Sequence, residues 1–420
     1  MPLIALWNSN AVAVAELTIE QVVATAGDGS LKDGSICSQE LHSYFAQIPS
    51  EKLATYVEQC LSSKFDKGGM VLQDLINELG RRLDYKVTNG RYQGTINAVG
   101  CDGIWLSPEG GTIINEVKTT DAYRISLDTI SGYRQKLLSA GTVIGEPSIL
   151  IVVGRQETGE LEAQIRGSRH AWDIRLISAE ALIKLVKLKE NSDDPETGRK
   201  IRSVLTPLEY TRLDRLVDVM FTAATDVAPA AVDPESDNEE AIPGPSPTIV
   251  TTPTVTASPI ADATGTWEFT DPVLLQQKRD EIIKTMSRHV GAPLIKKSRA
   301  LYWSADHSKR IACTISKRYM KRASYPYWYA FHPQWDDFLD EGEEGYLVLG
   351  CMDLSVAFAV PYVVIHNVLP DLNTTETERG KYWHIHVVQN AAGDFEILVP
   401  KRDMNLHISK YKLNIPKTDR

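Results

Sequence analysis

Apolar residues recur three and four apart over positions 17–26, 38–48 and 50–64, and this spacing predicts three short helices, with Ser38 and Ser50 as N-caps. Leu72, Leu75, Ile76, Leu79 and Leu83 then mark one face of an amphipathic helix over 71–83, followed by a turn-rich stretch from 84 to 94. Beyond it the period shortens. Two strands are expected at 98–105 and 112–118, joined by Ser107-Pro-Glu-Gly-Gly111, which has the composition of a hairpin turn. A helix over 126–138 follows, and then a continuous apolar run at 148–153 between Pro147 and Gly154, as in a strand covered on both faces. A shorter strand at 174–177 leads into a helix capped by Ser178 and running to 188. Helix, hairpin, helix, strand, strand, helix predicts an α/β domain with a mixed sheet.

The pattern then stops. Residues 226–266 contain seven prolines, seven acids and neither Lys nor Arg, a composition that cannot bury enough apolar surface to offset its ordering entropy. An extended acidic linker is expected there. After it, a helix over 271–287 precedes strand-like segments at 311–316, 327–332, 346–351, 356–364, 382–388 and 395–399, which predict a small β-rich or α+β barrel. The division expected is a helical region at 1–65, an α/β domain at 66–225, a linker at 226–266 and a β-rich α+β domain at 267–420.

Composition narrows the class. With 43% hydrophobic residues and no run near the roughly 18 apolar positions of a membrane helix, ordinary buried cores and no membrane partner are expected. The apolar start of the chain lacks a positive flank and is broken by Asn8, Ser9 and Asn10, unlike a secretion signal. Five cysteines without CxxC spacing read as reduced thiols, which points to a cytoplasmic location without disulfides or structural zinc. The net charge of −10 hides a local reversal. Between Lys278 and Arg322, thirteen Lys and Arg stand against three acids.

The hairpin carries the candidate chemistry. Its strands hold Gly100-Cys-Asp-Gly-Ile-Trp105 and Ile114-Asn-Glu-Val-Lys118. Strand alternation puts Glu116 and Lys118 on one side and Val117 on the other, with Asp102 across the hairpin. Two carboxylates brought together repel unless a cation sits between them, and such oxygen ligands suit Mg²⁺, with Mn²⁺ as a substitute. A lysine beside that cation can orient an attacking water while the metal stabilises charge on a phosphate oxygen, which is the chemistry of phosphodiester hydrolysis.

Asp102 followed fourteen positions on by Glu116-Val-Lys118, inside this order of elements, resembles the PD-(D/E)XK nuclease superfamily over roughly residues 66–190. Trp172-Asp-Ile-Arg-Leu-Ile-Ser-Ala-Glu-Ala-Leu182 is similar to the closing strand and helix of its Mrr-like restriction branch. The resemblance departs at Cys101, where a proline is usual, and at Gln135, four residues before Ser139 rather than a tyrosine. It implies an α/β restriction-endonuclease-like core behind a helical N-terminal preface. It further implies that Asp102 and Glu116 hold the metal with the Val117 carbonyl, that Glu78 on the preceding helix assists, and that Lys118 positions the water. A homodimer is implied as well, since cutting both strands takes two such sites.

Other residues are candidates for contact with DNA. Arg166 and Arg169 lie in a Gly-Ser loop and have the fork that matches phosphate oxygens, whereas the adjacent His170 reads as structural. Residues Thr119, Thr120, Asp121, Tyr123 and Arg124 follow the hairpin and would line its cleft, or equally form a capped helix entry. In the last domain Lys317, Arg318, Lys321 and Arg322 would neutralise phosphates, and Trp303 and Trp328 would stack on bases. Tyr327-Trp-Tyr-Ala-Phe331 there resembles PUA-like readers of modified bases, while His384 and His386 read as structural.

The expectation is therefore a Mg²⁺-dependent endodeoxyribonuclease of type II-like or modification-dependent kind, acting in restriction or anti-phage defence, with a C-terminal DNA-recognition module. Two alternatives stand beside it: an inactive nucleic-acid-binding or sensor protein, and a nuclease effector whose last domain binds a partner protein or second messenger.

Overall fold

The computed structural model describes residues 3–63, 65–92, 100–119, 126–141, 143, 146–154, 159–206, 272–319, 326–377 and 380–416. The expected linker at 226–266 lies outside these. Two folded regions result, an N-terminal α/β region that opens with helices and a separate C-terminal region built on one mixed and one antiparallel β-sheet. Among the described residues no helix is long and apolar enough to cross a membrane.

The chain opens with α1 (Leu3–Ser9), α2 (Ala11–Ala15), α3 (Ile19–Thr25), α4 (Ile36–Phe45) and α5 (Ser50–Ser62). The first two were not expected; at seven and five residues each spans fewer than two helical turns. N-caps fix several starts: Thr18 and Gln21 form a capping box, and Ser35, not Ser38, caps α4. Trp7 meets Tyr44 edge to face at 5.3 Å, and the Tyr44 and Tyr56 hydroxyls share a 2.9 Å hydrogen bond. This core is continuous with the next helix, α6 (Gly68–Arg82), and with one face of the sheet, so the preface and the α/β unit share one interior.

The sheet has five strands in sequential order: β1 (Lys86–Asn89), β2 (Gly103–Leu106), β3 (Thr112–Lys118), β4 (Ser148–Val153) and β5 (Ile174–Ser178). The first two pairings are antiparallel and the last two parallel. β1 falls within the stretch read as turn. It is a four-residue edge strand whose Val87 pairs with Trp105, and Asp84 turns the chain into it with φ at 67°. Trp105, Ile113, Val117, Leu150 and Val152 point to α6 and to α9 (Ala179–Asn191). On the opposite face Ile114, Ile149, Ile151 and Val153 meet α7 (Leu127–Ser139) and α8 (Gly159–Arg166). Both sides of β4 are therefore covered, as its unbroken apolar run requires. An unexpected helix, α10 (Pro195–Leu205), closes the region; its Arg202 reaches Asp84, as does Lys189 of α9 at 2.6 Å.

The C-terminal region begins with α11 (Pro272–Val290), β6 (Ile295–Lys296), β7 (Leu301–Trp303), β8 (Lys309–Ser316), β9 (Tyr327–Phe331), α12 (Pro333–Asp340), β10 (Glu344–Cys351), β11 (Val356–Pro361) and α13 (Tyr362–His366). It ends with β12 (Thr374–Thr377), β13 (Gly380–Gln389), β14 (Phe395–Ile397), β15 (Leu406–His407) and β16 (Lys412–Asn414). The expected barrel is replaced by two open sheets. One runs β16-β11-β10-β8-β7-β6 with β8 and β10 parallel; in the other β13 pairs with β9, β12 and β14, and β15 follows β14. The strand expected to reach 364 ends at Pro361, after which the chain turns into α13.

The two regions meet at the turn between α9 and α10. Asp193 accepts hydrogen bonds from Arg299 Nε at 2.6 Å and from the Ala300 amide at 3.0 Å, and its carbonyl accepts from Gln334 Nε2 at 3.1 Å. Lys296 Nζ reaches Asn191 Oδ1 at 2.6 Å beside it.

Candidate active site

Asp102 stands one residue before β2, and its backbone is tied down from three directions. Its amide donates to the Asn115 carbonyl at 3.0 Å; its carbonyl accepts from the Gly90 amide at 2.9 Å, Asn77 Nδ2 at 2.9 Å and Gln73 Nε2 at 3.1 Å. Asn77 Oδ1 in turn accepts from Trp105 Nε1 at 2.9 Å. Gly103 allows this approach, since a Cβ there would lie 2.1 Å from Asn77 Oδ1. With the main chain fixed, the Asp102 carboxylate reaches across to β3, where Oδ2 accepts from the Val117 amide at 2.7 Å.

On β3, Val117 faces α6 while Glu116 and Lys118 leave the opposite face, and Lys118 Nζ sits 2.6 Å from Glu116 Oε1. Glu116 is buried and Lys118 is half-buried. Burial, and then the Glu116 charge, raise the Asp102 carboxyl to about 7 against the opposing pull of the Val117 amide and Lys118. Burial also raises Glu116, with Lys118 opposing it. Burial lowers Lys118, but the Glu116 and Asp102 carboxylates outweigh it and leave the ammonium raised. One lysine does not balance two carboxylates. Glu116 Oε2 is buried without a hydrogen-bond partner among the described residues. A buried oxygen with no donor beside a second raised carboxylate is a place where a proton or a cation is stabilised. Among the described residues no group of three or more His, Cys, Asp or Glu side chains gathers around one point. The donor set is thus two carboxylates, which fits a hydrated hard cation rather than a site enclosed by protein ligands.

No family model matches the chain, and no curated protein matches it.

Glu78 is not brought to Asp102. Its carboxylate is held by Arg82 Nε at 3.0 Å and Arg81 Nη1 at 3.3 Å, and Arg82 also donates to the Phe45 and Ile48 carbonyls. The α6 side chains that do reach the hairpin are Gln73 and Asn77. Sequence reasoning passed over them because amides on an apolar helix face carry no charge signal. It also passed over Tyr133, which lies on the sheet-facing side of α7 between Ile130 and Leu137 and packs in the core that contains Cys101 and Ile114.

The remaining candidates are spread apart. Arg166 pairs with Glu162, and Arg169 with Asp128 at 2.8 Å; the His170 ring shares Asp128 at 3.0 Å. Thr119 follows β3, whereas Thr120, Asp121, Tyr123 and Arg124 lie outside the described residues, as do Lys321 and Arg322. Arg318 is exposed and reaches the Tyr327 hydroxyl at 3.2 Å and Asp353 at 3.5 Å; Lys317 lies over the Tyr319 ring. Trp303 is half-buried, stacked on His307 at 3.8 Å, with Lys297 4.6 Å from its ring centre. Trp328 Nε1 donates to His384 Nδ1 at 2.9 Å; since an indole only donates, His384 carries its proton on Nε2, toward Thr375. The cations that look contiguous in sequence do not make one free face: Arg310 is buried against Glu341, Lys309 pairs with Glu344 and Arg299 with Asp193.

Proposed function

We propose that the N-terminal region is a cation-dependent phosphodiesterase acting on DNA, an endonuclease of the restriction type with a restriction-endonuclease-like core. The observation that carries the reading is the unbalanced cluster at the hairpin, in which Asp102 and Glu116 are both raised, Glu116 Oε2 has no hydrogen-bond partner among the described residues, and Lys118 stands half-exposed beside them. Asp102 and Glu116, with the Val117 carbonyl that the family resemblance adds, are the residues to hold Mg²⁺ or Mn²⁺. Such an ion supplies positive charge to a phosphate oxygen and acidity to bound water. Lys118 Nζ keeps two N–H donors beyond its bond to Glu116 with which to orient the attacking water. The Val117 amide and the three donors on the Asp102 carbonyl hold the carboxylate in place before substrate arrives, so little reorganisation is needed on binding.

The C-terminal region is assigned the recognition role on its exposed Arg318 and the half-buried rings of Trp303 and Trp328, and the active form is a cytoplasmic homodimer in restriction or anti-phage defence. The type II-like and modification-dependent forms differ in what the C-terminal region must read. Supercoiled plasmid, unmodified or carrying phage base modifications, incubated with the full chain in Mg²⁺, Mn²⁺ or chelator tests both. Nicking that needs the divalent ion supports the reading; intact plasmid under every condition overturns it.

A further inference from the structure

We propose that Tyr133 is a substrate contact of this site, its hydroxyl donating a hydrogen bond to a non-bridging oxygen of the phosphodiester. The inference rests on the phosphodiesterase reading and adds to it a residue from a different element, α7. The phenol body is explained by packing, since it joins Ile130 and Leu137 in the core against Cys101 and Ile114. The hydroxyl is not. Tyr133 Oη makes no hydrogen bond with any described residue and is not sealed from solvent, so it stands open to an incoming ligand.

Its position is specific. A Cβ on Gly100 would come within 3.1 Å of Tyr133 Oη, so the hydroxyl lies against the backbone two residues before Asp102. The charges it feels belong to the candidate site: Glu116 and Asp102 add to burial in raising the phenol, and Lys118 opposes them. A raised phenol keeps its proton at neutral pH and remains a donor. Two carboxylates would repel a phosphate from this mouth. Lys118, the ion they hold and an uncharged donor on the facing helix are what can draw it in.

Tyr133→Phe keeps the ring and removes only the donor, so the melting temperature should not change. Single-turnover cleavage at saturating DNA should fall about tenfold, the worth of one hydrogen bond to a charged oxygen, with duplex affinity unchanged because that affinity is spread over many phosphates. A readout that packing would not move is stereochemical. With a phosphorothioate at the cut position, one diastereomer places sulfur where Tyr133 donates; the wild-type chain should discriminate against it, and Tyr133→Phe should not. A readout independent of turnover is inorganic phosphate in Mg²⁺, which should raise the melting temperature of the wild-type chain more than that of Tyr133→Phe. Wild-type cutting that persists in Tyr133→Phe at full rate with the same diastereomer preference overturns the Tyr133 assignment alone. A wild-type chain that never cuts overturns the phosphodiesterase reading and this assignment with it.

Discussion

Replacing Asp102 by Asn should stabilise the metal-free chain at pH 8. The folded carboxyl titrates at about 7 against an ordinary 3.8, because burial and Glu116 disfavour its charge. An acid raised in the folded state costs stability as pH climbs: between the two values the unfolded chain has already lost its proton while the folded chain retains it, and the full penalty is reached above 7. Three units at 1.36 kcal/mol each set a ceiling of about 4 kcal/mol. Asp102 keeps partial contact with water and shares its titration with Glu116, which brings the expected gain to roughly 2 kcal/mol. Asparagine cannot ionise, yet its Oδ1 can still accept from the Val117 amide, so the geometry survives. Melting followed by circular dichroism in chelator should show Asp102→Asn several degrees above wild type at pH 8, converging as pH falls toward 4. Adding Mg²⁺ at pH 8 should raise the wild type and leave the variant behind. Equal or lower melting of Asp102→Asn at pH 8 would refute the claim that the two carboxylates oppose each other here.

Two further outcomes follow from the same contacts. Glu78→Ala should cost about 3 kcal/mol in denaturant, since it strips the buried Arg82 of its carboxylate, while cleavage per folded molecule stays near wild type; a stable but inactive variant would return Glu78 to the metal. Asp193→Ala removes the acceptor for Arg299 and the Ala300 amide, so the two regions should part, read as a larger radius of gyration in small-angle scattering; an unchanged radius would mean that other contacts hold them.

The hairpin was legible because its chemistry is local. Alternation alone places Glu116 and Lys118 together and sends Val117 to the other face, and β4 announces itself by five consecutive apolar residues, Ile149 to Val153. What the pattern could not show was partnership over long separations. Glu78 looks like any helix acid until Arg82 folds back on it, and Arg299 looks like part of a basic block until Asp193, 106 residues earlier, takes it. Contiguous charge in sequence is not contiguous surface when the chain runs through short strands and turns. Four short elements, α1, α2, β1 and β6, were hidden for another reason: with two to seven residues, each offers few periods to recognise. Tyr133 shows the converse limit, where a residue that fits the apolar face of a helix by spacing carries a polar tip whose neighbours come from other strands.

The central claim is that Asp102, Glu116 and Lys118 form one hydrolytic centre, and the most direct test is plasmid nicking in Mg²⁺ by the wild-type chain beside Asp102→Ala, Glu116→Ala and Lys118→Ala. Each substitution should lower the rate by at least about a hundredfold, the scale of losing one preorganised group at the reacting phosphate, with duplex binding retained. Nicking by any of the three at the wild-type rate would contradict the account.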